Sequence, residues 1–144
     1  SLAELRNVIT YVPQDSYLFE GTIAENIAFG WNGETAPAMD VIVSAAKKAH
    51  ADEFIKDLPE GYNTKVAAGG TNLSGGQRQR ISIARAFMKE ASIVLMDEPS
   101  SALDTYSENA ILEAMSVFMK NKTVIMVSHR MTGAEKFNRV VRMD

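Results

Sequence analysis

No cysteine occurs among the 144 residues, which excludes disulfides and thiolate metal sites and suits a cytosolic setting. Long apolar runs are lacking too. Stretches such as "IVLM" at 93–96 are far too short to span a bilayer, so any role at a membrane has to run through a partner. No charge dominates either: a net charge of −3 offers no electrostatic footprint for nucleic acid or an anionic surface. Repeats and low-complexity segments are absent from the sequence. So is the dipeptide Gly-Lys, and with it the Gly-x-x-x-x-Gly-Lys-Ser/Thr loop that cradles nucleotide phosphates. What remains, 46% hydrophobic and 23% charged residues, is the composition of one ordinary globular domain with a real core.

Strands and helices alternate in the second half. "VITYV" (8–12), "SIVLMD" (92–97) and "TVIMVSH" (123–129) are apolar runs of the kind buried in parallel sheets. "RVV" near 139 reads as a further strand, and 132–137 as a helical stretch. Between the first two strands the pattern is mostly helical. Thr22 and Glu25 match a capping box ahead of "IAENIA", with Gly30 as a stop. Val41, Ile42, Ala45, Ala46 and Ala49 fall at helical spacing, and "ADEFIKDL" makes a short second helix before the turn at 59–61. Ser74 and Gln77 form another capping box, followed by Ile81, Ala84, Phe87 and Met88 on one face. Thr105 and Glu108 form a third, opening a helix with Ile111, Leu112, Met115 and Phe118 inward. The pattern predicts an α/β fold with a parallel sheet and an inserted helical stretch over about 15–72.

Several polar residues fall where such sheets hold ligands, beyond the carboxyl ends of the strands. Asp97 and Glu98 are adjacent there: the first suits Mg²⁺, a hard cation, and the second suits orienting and deprotonating a water. A solvated strand-to-loop junction accounts for the pair equally well. His129 follows the third strand and Gln14 the first. Either has the chemistry to meet a phosphate or a water, and either is also accounted for as a plain surface residue. His50, inside the helical stretch, reads as a satisfied polar residue. The pair Gly75-Gly76 is less easily dismissed. Each glycine in a helix costs roughly 1 kcal/mol against alanine, and the capping box explains Ser74 and Gln77 only. A helix N-terminus bare of side chains lets a phosphate approach unpaired N–H groups closely.

In this order, Gln14, "LSGGQ" (73–77), "IVLMDE" (93–98), "SALD" (101–104) and His129 resemble the nucleotide-binding domain of an ABC transporter. The likeness covers essentially the whole chain. "VPQDSYLFEGTIAENI" is similar to the form found in exporters, whereas "TKVAA" (64–68) departs from it. There Ala68 stands where exporters often carry a glutamate facing the coupling helix of the membrane domain. The resemblance implies an incomplete RecA-like parallel sheet with an inserted α-helical subdomain. It divides the chain into a core strand and glutamine loop (1–14), a mainly helical subdomain ending in the signature (15–88), and a second core part (89–144).

The same resemblance implies roles. Asp97 and Gln14 would serve Mg²⁺, Glu98 would be the general base, and His129 and Gln14 would sense the γ-phosphate of ATP. Ser74, Gly75, Gly76 and Gln77 would close over ATP held by a second nucleotide-binding domain in a head-to-tail dimer. Ser101 and Asp104 would link the two sites. Coupling helices of a transmembrane domain are the further partner, at the cytoplasmic face of a membrane, and nucleic acid is not. The phosphate-cradling segment is expected upstream of residue 1 and a closing segment after 144, so the chain alone should neither hold ATP tightly nor hydrolyse it. The absent central strand should leave an exposed edge on 123–128 and strand 139–143, inviting self-association. Two other readings compete: an ABC-type ATPase of chromosome maintenance or DNA repair, and a non-catalytic ABC module. The former usually carries long coiled-coil insertions, and no sustained heptads occur here. The intact Glu98 and His129 argue against the latter.

Overall fold

The computed structural model describes residues 1–98, 103–130 and 133–143. A short helix, α1 (Leu2–Val8), comes first, closed by a capping box between Ser1 and Glu4. It leads directly into β1 (Ile9–Val12). Val8, read above as the start of the strand, therefore ends a helix instead. The reason is local: Ser1 and Glu4 satisfy the orphan donors of the first turn, and the Lys89 ammonium reaches the Arg6 and Ile9 carbonyls at its end, 2.5 and 2.7 Å away.

The insertion follows. β2 (Gly21–Thr22) opens α2 (Ile23–Ala28), whose predicted box between Thr22 and Glu25 is formed. Next come α3 (Met39–Lys48) and α4 (Asp52–Asp57). β3 (Lys65–Val66) then pairs antiparallel with β2, a two-stranded ladder that sequence pattern missed because each strand is two residues long. α5 (Gly75–Met88) starts at its predicted cap, Ser74, whose hydroxyl accepts the Gln77 N–H at 3.1 Å while Gln77 accepts the Ser74 N–H at 2.9 Å.

The core is completed by β4 (Ile93–Asp97), α6 (Thr105–Met119) and β5 (Thr123–Val127). The sheet order is β1-β4-β5, all parallel, with Val12 beside Met96 and Asp97 beside Val127. Parallel neighbours need crossovers, and the insertion with α5 provides one and α6 the other. Thr105 is not the cap of α6. Asp104 is, accepting the Ser107 N–H at 2.9 Å, because an aspartate outcompetes a threonine one position later as acceptor for the first turn.

α5 sits at the centre. Ile81, Ile83 and Ala84 are fully buried, and the helix packs on α2, α3, α6 and β1. The one-sided stripe read from the sequence therefore understates it, since Ile83 is buried as well. Phe87 and Phe118 stack with centroids 3.8 Å apart and planes 5° from parallel, joining α5 to α6.

At the carboxyl-terminal end, the exposed edge on 123–128 and the stranded 139–143 implied by the resemblance are seen among the described residues. Two readings from pattern alone, a buried strand at 123–129 and a further strand near 139, fail. β5 is not buried: Ile125 and Val127 are each 53% exposed, because only one face meets α6 and no strand pairs with its outer edge among the described residues. The "RVVRM" stretch forms no strand, and Val140, Val141 and Met143 lie exposed. The helical reading of 132–137 reduces to a single 3₁₀ turn, Ala134–Lys136; positions 131 and 132 lie outside the described residues.

Candidate nucleotide site at the strand ends

The three parallel strands deliver their following residues to one edge of the sheet. Gln14 leaves β1 through Pro13, Glu98 follows β4 directly, and His129 follows β5. Gln14 Nε2 donates to Glu98 Oε2 at 3.0 Å. His129 Nε2 lies 3.0 Å from Glu98 Oε1, an ion pair when the imidazole is protonated. That oxygen is buried and has no aligned hydrogen-bond donor among the described residues. The Glu98 side chain is only 15% exposed, whereas that of His129 is 92% exposed.

The backbone at Glu98 is unusual. Its φ is +40°, in the left-handed region that non-glycine residues rarely adopt. The Glu98 N–H donates to the Val127 carbonyl at 2.8 Å, so the ladder to β5 continues past the strand and holds the turn. Residues kept in such regions concentrate at functional sites, where surrounding structure over-determines them. Asp97 is turned elsewhere: Tyr11 donates its hydroxyl to Asp97 Oδ2 at 3.4 Å. Gln14 thus reaches Glu98. No group of three or more His, Asp or Glu side chains suited to hold a metal occurs among the described residues.

The glutamine loop and the start of α5 share a cleft of about 560 Å³, with Gln14, Ser16, Gly75, Arg78 and Gln79 in its walls. Ser16 donates its hydroxyl to Gln79 Oε1. Arg85, farther along α5, grips the same loop by donating to the Tyr17 carbonyl at 3.2 Å, and grips α2 through Asn26 O at 2.9 Å and Oδ1 at 3.1 Å. Its guanidinium lies against the rings of Phe19 and Phe29, 5.7 and 5.6 Å from their centroids, which themselves meet edge to face, and burial pushes its pKa down. Asn26, fully buried, donates to the Phe19 and Thr22 carbonyls and accepts the Phe19 N–H. Sequence reading missed Gln79 and Arg85 because they contact a loop more than 60 residues away in the chain, and Asn26 because its bonds run to backbone just before its own helix. The available signal was polar residues at positions facing inward on otherwise apolar helices.

Ser74, Gly75, Gly76 and Gln77 open α5 as expected, and Asp104 caps α6. The Ser107 backbone N–H, with help from its hydroxyl, holds the Asp104 carboxyl below the usual aspartate range. Ser101 lies outside the described residues. His50 adopts φ +53° and sets Nε2 3.0 Å from Glu113 and Nδ1 3.6 Å from Glu53, a structural role between the insertion and α6.

A RecA-like α/β sheet with a carboxylate, an amide and an imidazole gathered past its strand ends is the architecture of a nucleotide-handling protein. The family model described as "ABC transporter" matches residues 1–101, and the chain belongs to that family. It is 44% identical to an ATP-dependent lipid A-core flippase of Vibrio cholerae over 99% of its length and 24% of the flippase. With the flippase of the same name from Acinetobacter baylyi the identity is 48%, over 99% of this chain and 25% of that protein. A bacterial Atm1-family ABC exporter solved with ATP bound superposes with a TM-score of 0.84 and 41% identity, over 92% of this chain and 23% of that one. The chain thus spans about a quarter of the length of the relatives it matches.

Proposed function

We propose that this chain supplies the hydrolytic edge and the signature helix of the ATP-driven motor of an ABC exporter, working at the cytoplasmic face of a membrane. The observation that carries the reading is the convergence of Gln14 and His129 on one half-buried carboxylate, Glu98. Glu98 would orient and deprotonate the attacking water. His129 and Gln14 would release the carboxylate and turn toward the γ-phosphate, and Gln14 would contribute to the metal. Asp97, at the strand end, offers a hard oxygen to Mg²⁺, which takes few protein ligands and fills its shell with water and phosphate oxygens; the lack of a self-sufficient acidic cluster among the described residues fits that mode.

The residues fit one end of ATP. A Cβ added at Gly75 would find no atom nearer than 3.8 Å, so the α5 N-terminus leaves room for a phosphate, with the Ser74 hydroxyl beside it. No Gly-Lys dipeptide occurs, so the main phosphate cradle must come from residues other than these. Ser74, Gly75, Gly76 and Gln77 would act on ATP held by a second nucleotide-binding domain, with Ser101 and Asp104 at that contact. Transmembrane coupling helices would dock on the motor, where Ala68 departs from the exporter pattern. The divisions at 14 and 88 follow the same reading. ATP and Mg²⁺ are the group and ion involved; they supply the phosphoanhydride and its charge neutralisation.

The test is ATP hydrolysis by the chain alone and mixed with a fragment carrying a Gly-Lys phosphate loop. Activity only on mixing, lost with Glu98→Gln, is the expected result. Mg²⁺-dependent hydrolysis by the chain alone, abolished by the same substitution, would refute it. A folded, associated mixture that stays inactive would favour a non-catalytic module.

A further inference from the structure

The two glycines that open α5 lie in different surroundings. At Gly75 an added Cβ would meet Leu103 at 3.8 Å and Arg78 Nη2 at 3.9 Å, ordinary van der Waals contacts that need no shift. At Gly76 it would lie 2.3 Å from Ser107 Oγ and 2.8 Å from Ser107 Cβ, closer than carbon atoms pack. Ser107 has no room to yield. It is 3% exposed, its hydroxyl donates to Asp104 Oδ2 at 2.8 Å, and its N–H donates to Asp104 Oδ1 at 2.9 Å. Rotating the hydroxyl away would also leave Cβ in place. Arg80 holds the other side of the contact: its Nε donates to the Gly76 carbonyl at 3.2 Å and its guanidinium faces the rings of Phe54 and Tyr106.

The geometry points to Ser107 as a positioning residue: it seats the N-terminus of α5 against the cap of α6 through Gly76, so that only Gly75 is bare for an incoming phosphate. One glycine faces inward for packing within the chain and the other outward for a ligand. The cap of α6 and the first turn of α5 consequently move together. The ligand half of this inference rests on the function proposed above, and the packing half stands without it.

The test is suppression. In the 144-residue chain, Gly76→Ala lowers the urea midpoint, and adding Ser107→Gly restores most of the loss because the obstructing Cβ and Oγ are gone. Two substitutions in contact should depart from additivity in this way. Should Gly76→Ala fail to accumulate, soluble yield of the double variant against the single one reads the same suppression. In a full-length exporter carrying this sequence, Gly76→Ala cuts kcat for ATP hydrolysis ~100-fold, as small misplacements at a reacting centre do, with KM for ATP little changed. Ser107→Gly recovers most of that loss. Additive effects on the midpoint would overturn the packing. A recovered midpoint without recovered kcat would overturn the positioning role. Gly75→Ala serves as the separate check: it keeps the midpoint and lowers kcat. If it leaves kcat at the wild-type value, the phosphate reading of the signature fails while the suppression result stands.

Discussion

Glu98, the general base of the proposed function, is a side chain whose surroundings hold it in place. Its carboxylate is pinned by Gln14 and faced by His129, on a backbone turned to φ +40°. Glu98→Gln should lower hydrolysis in an assembled exporter by about 10²–10⁴-fold, the usual worth of a positioned general base, with nucleotide binding retained; steady-state rates and nucleotide titration check both halves. Arg85 gives the contrasting case, a residue that touches no reacting group. Its guanidinium donates to the Tyr17 and Asn26 carbonyls and to the Asn26 side chain. Arg85→Lys cannot reproduce that fork and should cost about 1.5–3 kcal/mol, read as a shift in urea midpoint. Glu98 was legible in the sequence because a carboxylate after an apolar run names its own position at a strand end. Arg85 was not, because its partners are a loop and a helix that only folding brings near.

At the level of elements, two caps were readable from spacing alone, while the exposure of β5 followed from the family resemblance and not from its own composition. The boxes at Thr22 and Ser74 form as their spacing predicts, since the bonds lie within one turn. β5 has the same apolar composition as β4, yet its neighbours differ: β4 lies between two strands and β5 at an edge. Composition cannot carry that distinction. α4 supplies a pH-dependent prediction. Burial pushes the Asp52 carboxyl up, but Lys56 at 2.6 Å and the Tyr62 hydroxyl at 2.7 Å outweigh it and hold the group below its ordinary range. A folded-state value below the unfolded one means its stabilisation is complete above the ordinary aspartate range, near pH 4, and fades as pH falls through the lowered value. Urea midpoints of the wild type and Asp52→Asn should therefore differ at pH 7 and converge in strong acid. Between α5 and α6, Phe118→Ala removes the stacked partner of Phe87 and should cost about 3–5 kcal/mol by denaturant titration.

Across the whole molecule, β5 presents an apolar outer edge on the three-stranded sheet of the described residues, and Val140, Val141 and Met143 lie exposed after it. Unpaired edges recruit other chains, so light scattering should show association that grows with concentration. Ile125→Lys, a charge on that edge, should shift the balance toward monomer; a monomer at every concentration would count against the edge. The helical insertion has a cost in time as well as in topology. Gln14 and Glu98, which meet at the sheet edge, are 84 residues apart in the chain, and among the described residues β4 is the one strand beside β1. At a synthesis rate of about 5–20 residues per second, the first strand waits roughly 4–17 s for its partner to be made. During that interval "ITYV" is an unpaired, aggregation-prone segment on a growing chain, and the helices of the insertion are what the ribosome delivers in the meantime.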